Sequence, residues 1–264
     1  MADQMTFEEF APYIREKYAA VFDAGGGLPS QVNAILDVSV GEPLHKIVRF
    51  TAKIVANDFG GLLILALYGY GLSGAKVARS MFEASVNAAY LAKHPECVDD
   101  YIDFHVVSKK KFYDHLLKYD PAAAAAIGSE KITAMETEYA QVVHRFKKHK
   151  NSWTAVSIAD RAQEVGSGDL YRLVYSTLSG IAHGDIVGMH AHATAEGVDV
   201  EPGPSEQWIH ESLVLGHAAV AKVFHTYNEV AALKMDTQLE AIHAGFKTAW
   251  PSQKSDAAAH AVYT

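Results

Sequence analysis

The chain has 264 residues, 49% of them hydrophobic, which is enough apolar material for one substantial core, and no break in composition marks a second module. Its formal net charge of −8 repels phosphate backbones at long range, so any nucleic-acid contact would require a local basic patch. The single cysteine, Cys97, excludes an intrachain disulfide and a cysteine-built zinc site and fits a reducing compartment, so the expected location is cytoplasmic.

The acidic opening MADQMTFEEF lacks the basic and apolar regions of a secretory signal. Helical spacing over residues 7–22 stops at Gly25, Gly26 and Gly27. Pro29 and Ser30 open a second helix, and Pro43 opens a third running towards Tyr68. The most apolar run, 60–72, is bounded by Lys53 and Asp58 upstream and by Lys76 and Arg79 downstream. It falls short of the roughly 20 residues a membrane span needs, so it reads as a buried core helix with no membrane role. Ser73 is placed to cap a helix over 74–93, which Pro95 ends. Residues 97–118 form the next, Asp120 and Pro121 start a short alanine-rich piece, and Ser129 caps a helix reaching the basic run at His144. Asp169 or Ser167 caps a helix beginning near Tyr171 and ending at Gly184. Residues 189–203 alternate as a strand does, so a small hairpin or ordered loop is expected near 186–204. The helical pattern returns over 205–249, with an interruption near Gly216 or Met235, and leaves a flexible tail at about 250–264. These elements predict an all-α multi-helix bundle: one helical domain over 1–264, its core at about 43–184 and a long C-terminal helix at about 205–249.

Two of the helices carry chemistry. On an ideal helix over 171–185, Arg172, Ser176, Ser179 and His183 fall within about 60° of one another, with Leu173, Val174, Leu178 and Ile181 opposite. A stripe meant only for water would be Lys and Glu. These residues instead bind, orient and exchange protons. His183 sits in the last turn, where the helix dipole favours its protonated form, and Ser179 is one turn earlier. No G-x-S-x-G elbow accompanies them, which makes Ser179 a positioning hydroxyl rather than a nucleophile. On the 74–93 helix, Arg79 and Glu83 are four residues apart on one face with Val86 and Tyr90. They form either a structural ion pair or a site in which Arg79 holds an anion while Glu83 accepts a proton or ligates a metal. The candidate catalytic set is therefore Arg79, Glu83, Ser179 and His183, with Arg172, Tyr175, Ser176 and Tyr90 as substrate-binding residues.

The chain holds 14 histidines. His183, Asp185, His190 and His192 cluster within ten residues, and His210, His217 and His225 share one side of the long C-terminal helix. Diagnostic metal spacings such as H-E-x-x-H are missing from the sequence, so cofactor and metal stay unassigned. The run HRFKKHK at 144–150, followed by Trp153 and joined by Lys109, Lys110 and Lys111, is either a nucleic-acid patch or a solvated helix end.

The segment R-S-M-F-E at 79–83, combined with Y-S-T-L-S-G-I-A-H-G at 175–184, resembles a family of uncharacterised all-helical bacterial proteins with an R-x-x-x-E on one helix and an S-x-x-x-H on another. Arg79, Glu83, Ser179 and His183 match that pattern over a resemblance covering roughly residues 45–190. More distantly the chain is similar to the HEPN superfamily, helical bundles of which many are RNases carrying an Arg four to six residues before a His. Here Arg172 stands eleven residues before His183, and Ser179 occupies the place of that Arg. The resemblance implies an enzyme acting by acid–base chemistry, with RNA or a small molecule as substrate. Glu83 or His183 would move the proton, Arg79 would stabilise the anion, and Ser179 and Tyr175 would position the substrate. A metal-dependent enzyme using Glu83, His183 and His190 or His192 is one alternative. A non-catalytic homodimeric binding or assembly module, paired through the alanine-rich 74–93 helix, is another.

Overall fold

A computed structural model describes residues 5–26, 41–147, 152–183 and 203–249, with the side chains of 173, 174, 176, 181–183 and 246–249 outside the description. The chain is all-α. Helix α1 (Phe7–Lys17) opens on a reciprocal cap between Thr6 and Glu9. Where one helix over 7–22 is expected, the backbone breaks at Tyr18 and α2 resumes over 19–26, with Tyr18, Val21 and Phe22 buried. The helix expected from Pro29 and Ser30 lies outside the described residues.

Three long helices make the core: α3 (Pro43–Leu67), α4 (Gly71–Lys93) and α11 (Ile209–Val230), the last numbered after the elements introduced below. The apolar run at 60–72 is thus split between two helices, because Gly69, at φ +75°, turns the chain between α3 and α4. By length and composition α3 could cross a membrane, yet Val48, Val55, Phe59 and Leu62 along it are buried in the core. Helix α4 starts at Gly71, earlier than the Ser73 cap predicts. Gly71 lies so close to α11 that a Cβ there would sit 2.0 Å from the Gln207 carbonyl oxygen, and Ser212 Oγ donates to the Gly71 carbonyl at 3.2 Å. Gly216, expected as a break, instead stays inside α11, where it accepts Leu62 and Phe59 of α3 at close range. The break falls at 231–235, before α12 (Asp236–Ala249).

Helices α5 (Val98–Tyr119), α6 (Pro121–Ala126, capped by Asp120) and α7 (Ser129–Val142) leave the core and build a second, small apolar cluster of Tyr113, Ala124 and Met135. Helix α8 (Ile158–Glu164), a short α9 (Gly168–Leu170), a π-helical turn (Tyr171–Tyr175) and α10 (Ser176–His183) return along α4. The hairpin expected near 186–204 and the tail at 250–264 lie outside the described residues, apart from 203 and 204. Among the described residues, the extended pairing present is a single bridge between Tyr70 and Ser205.

Candidate functional site

Helix α4 is the floor of the site. Its small residues, Ala75, Ala78, Ala88 and Ala89, are buried and allow close helix packing, so its alanine-rich faces are consumed inside the chain. Arg79 and Glu83 lie one turn apart and form an ion pair, Arg79 Nη2 to Glu83 Oε1 at 2.7 Å. Facing them is Tyr175, the last residue of the π turn, 3% exposed and packed on Phe82 (5.2 Å between ring centroids) and Tyr171 (5.0 Å). Its hydroxyl donates to Glu83 Oε1 and accepts from Arg79 Nη2 at 3.1 Å, and the guanidinium carbon lies 5.2 Å from its ring centre. Burial, followed by the Glu83 carboxylate, pushes the Tyr175 pKa well above the ordinary phenol range, so Tyr175 keeps its proton and acts as a fixed donor. Two of these contacts, from Arg79 and from Tyr175, end on Glu83 Oε1, and Oε2 has no hydrogen-bond partner among the described residues. Arg79 Nε is buried with no hydrogen-bond partner among the described residues.

A second guanidinium, which sequence reasoning missed, completes the cluster. Arg161 on α8 is 7% exposed, donates to Asn87 Oδ1 of α4 and to the Ser157 carbonyl (3.4 Å), and lies 5.2 Å from the ring centre of Trp153. It makes no ion pair with any described residue. Burial lowers its pKa, and Glu83 is close enough to oppose that shift. Helix α8 is only seven residues long, but it is fastened at both ends. Ser157 caps its start, accepting from the Asp160 amide at 3.1 Å. Lys93 and Lys222 donate to the carbonyls of Glu164 (2.7 Å) and Val165 (2.6 Å) at its end. The S-x-x-D of 157–160 is the signal that could have revealed this helix from the sequence.

Other expected members scatter. Tyr90 is buried one layer away, stacked on His94 (4.4 Å between centroids) and edge-on to Trp153 (6.0 Å). Arg172 points away from the cluster, exposed and bonded to Asp169 Oδ1 at 2.5 Å and Gln163 Oε1 at 3.0 Å. The i→i+5 bonding of the π turn takes it out of phase with α10. Ser179 is half-buried, one turn past Tyr175. The side chains of Ser176 and His183 lie outside the described residues, as do Asp185, His190 and His192. Among the described residues no three His, Cys, Asp or Glu side chains group to hold a metal. Of the basic run, Arg145 is bound by Asp100 (2.7 Å) and Asp103, and nearby Lys110 by Asp114 (2.5 Å).

No curated protein and no solved structure matches the chain. Residues 46–199, a span holding every residue of the cluster, match a family of unknown function, DUF5677, and the chain belongs to that family.

Proposed function

We propose that the chain is an enzyme that holds an anionic group of its substrate between Arg79 and Arg161 and moves a proton at Glu83. The observation that carries this reading is the charge of the cluster among the described residues: Arg79 pairs with Glu83, and the more buried Arg161 bonds only neutral acceptors there. A surplus positive charge in a desolvated place is costly until an anion completes it. Phosphoryl and carboxylate groups match the guanidinium fork. Glu83 is suited to proton transfer because Arg79 and Tyr175 fix one of its oxygens and leave the other to accept. In this reading Ser179 positions the substrate, and His183, one turn further along α10, is the second proton-transfer group.

The substrate class is a small phosphorylated or carboxylated molecule before a polynucleotide. The likeness to HEPN proteins favours a phosphodiester, but Arg145 and Lys110, which an RNA track would use, are already tied to carboxylates.

Calorimetric titration with inorganic phosphate and pyrophosphate tests the reading. The wild-type chain binds one of them, Arg79→Gln and Arg161→Gln each weaken binding about tenfold or more, and Glu83→Gln, freed of a like charge, binds at least as tightly. Thermal melts establish that the variants are folded. Folded variants that bind as the wild type does, or a wild type that binds neither anion, overturn it.

A further inference from the structure

Helix α3 has two apolar sides, and the core uses only one. Its inward rows, including Val48, Val55, Phe59 and Leu62, are buried. On the opposite side Phe50, Ile54, Asn57, Gly61, Ile64 and Tyr68 recur at alternating spacings of four and three. That is the strict heptad seam of a coiled coil, narrower than the stripe a core-facing helix carries. All six are exposed: Phe50 by 66%, Ile64 by 61%, Tyr68 by 44% and Ile54 by 42%, while a Cβ at Gly61 would meet nothing within 4 Å. The seam from Phe50 to the C-cap Tyr68 is about two and a half heptads long, roughly 27 Å at 1.5 Å per residue, along one continuous helix.

We infer that α3 is a dimerisation helix, which pairs through this seam with α3 of a second copy of the chain, parallel and in register. This goes beyond the proposed function and does not depend on it. The charges flanking the seam select the occupant. Lys46 and Lys53 run along one edge, and Asp58 stands on the other. In a parallel pair, a residue on the first edge meets the partner's residue five positions later on the second, which sets Lys53 against Asp58 of the other copy, twice by symmetry. Neither Lys53 nor Asp58 forms an ion pair with a described residue of its own chain. Asn57 falls on the seam itself and meets its own counterpart, where two amides can donate and accept mutually, and a lone polar seam residue of this kind fixes register. A lipid surface fits less well, because Lys53, Asn57 and Asp58 would stand at mid-helix with no polar partner.

Sedimentation velocity on the full chain at micromolar concentration is expected to give a dimer. Ile54→Glu with Ile64→Glu, both at exposed positions, gives a monomer with unchanged circular dichroism. Asp58→Lys weakens the dimer about tenfold or more, and the double exchange Lys53→Asp with Asp58→Lys restores it. With Cys97→Ser as background, Phe50→Cys and Ile64→Cys each form a disulfide-linked dimer under mild oxidation, because in parallel register each seam position meets itself. A monomeric wild type, a monomer that floats with phospholipid vesicles, a dimer that survives the two glutamates, or failure of both cysteine variants to cross-link each overturn the inference.

Discussion

Tyr175 joins the two chemistry-bearing helices, since its one hydroxyl serves both Arg79 and Glu83. Replacing it with Phe keeps the ring packing on Phe82 and Tyr171 and removes only the hydroxyl. A hydrogen bond in so partly exposed a cluster is worth about 1 kcal/mol net, and in a chain of this length that lowers the melting temperature by roughly 2–4 °C. On the proposed reading, phosphate binding should persist in Tyr175→Phe, because both guanidiniums remain. A melt and a phosphate titration on this variant distinguish the roles: a fall beyond roughly 10 °C together with loss of binding would make Tyr175 a structural strut. Arg79 and Glu83 were legible in the sequence because an i,i+4 pair of opposite charges stands out on a helix otherwise built of small and apolar residues. Arg161 was not. Its helix is too short to show a hydrophobic period, and the residue itself gives no sign that Asn87 and Trp153 will close around it.

At the level of elements, the long helices follow from pattern and punctuation: Pro43 opens α3, Asp120 and Pro121 open α6, and α11 ends near the predicted break at Met235. The π turn does not follow. Periodicity assumes a constant angle per residue, and one π turn between Arg172 and Ser176 changes the phase, which is why Arg172 joins Asp169 rather than Glu83. Nor did the sequence say which histidine of α11 turns inward. His217 is 6% exposed and stacks on His243 of α12 at 5.0 Å between centroids, with Nδ1 of His243 3.4 Å from its Nε2. Burial first, and then the neighbouring His243, lowers its pKa to about 4 from an ordinary value of 6.5. Because the unfolded chain takes up this proton first as pH falls, the stability is full above about pH 6.5 and is lost progressively towards pH 4. The slope is at most about 1.4 kcal/mol per pH unit. His210, also lowered by burial, adds a component of the same sign, so the measurement is the difference between wild type and His217→Gln in melts from pH 7 to pH 4. The variant should show the shallower dependence, and parallel curves would mean that His217 takes up its proton equally in the folded and the unfolded chain.

Across the whole molecule, two apolar clusters of very different size divide the chain's stability. The main cluster joins α3, α4 and α11 through residues such as Phe59, Leu62, Phe82 and Tyr227, all almost completely buried. The small cluster in the arm of α5, α6 and α7 holds Tyr113, Ala124 and Met135, with Leu116, Ile127 and Ile132 partly covered, while Val98 and Val107 are buried nearer the start of α5. It is tied to the main cluster by Tyr101 and Phe104, and its base is closed between α5 and the turn after α7 by the edge-on contact of Phe104 with Phe146 (5.4 Å) and by Arg145 clamping Asp100 and Asp103. A cluster that small cannot protect its backbone as the main core does, so the arm is expected to open on its own before the bundle unfolds. Hydrogen exchange read by mass spectrometry should therefore find residues 113–142 exchanging sooner than α4 and α11 in the wild type. Truncating Met135 to Ala, at about 2–3 kcal/mol for a buried Met, should speed exchange in the arm and leave α4 and α11 unchanged. Leu62→Ala, made where α3, α4 and α11 meet, should instead raise exchange throughout, because no part of the bundle stands without that contact. Equal acceleration of all helices by Met135→Ala would mean that the packing of Tyr101 and Phe104 on the main cluster couples the arm to the core strongly enough to make one cooperative unit, and Tyr101→Ala should then decouple them.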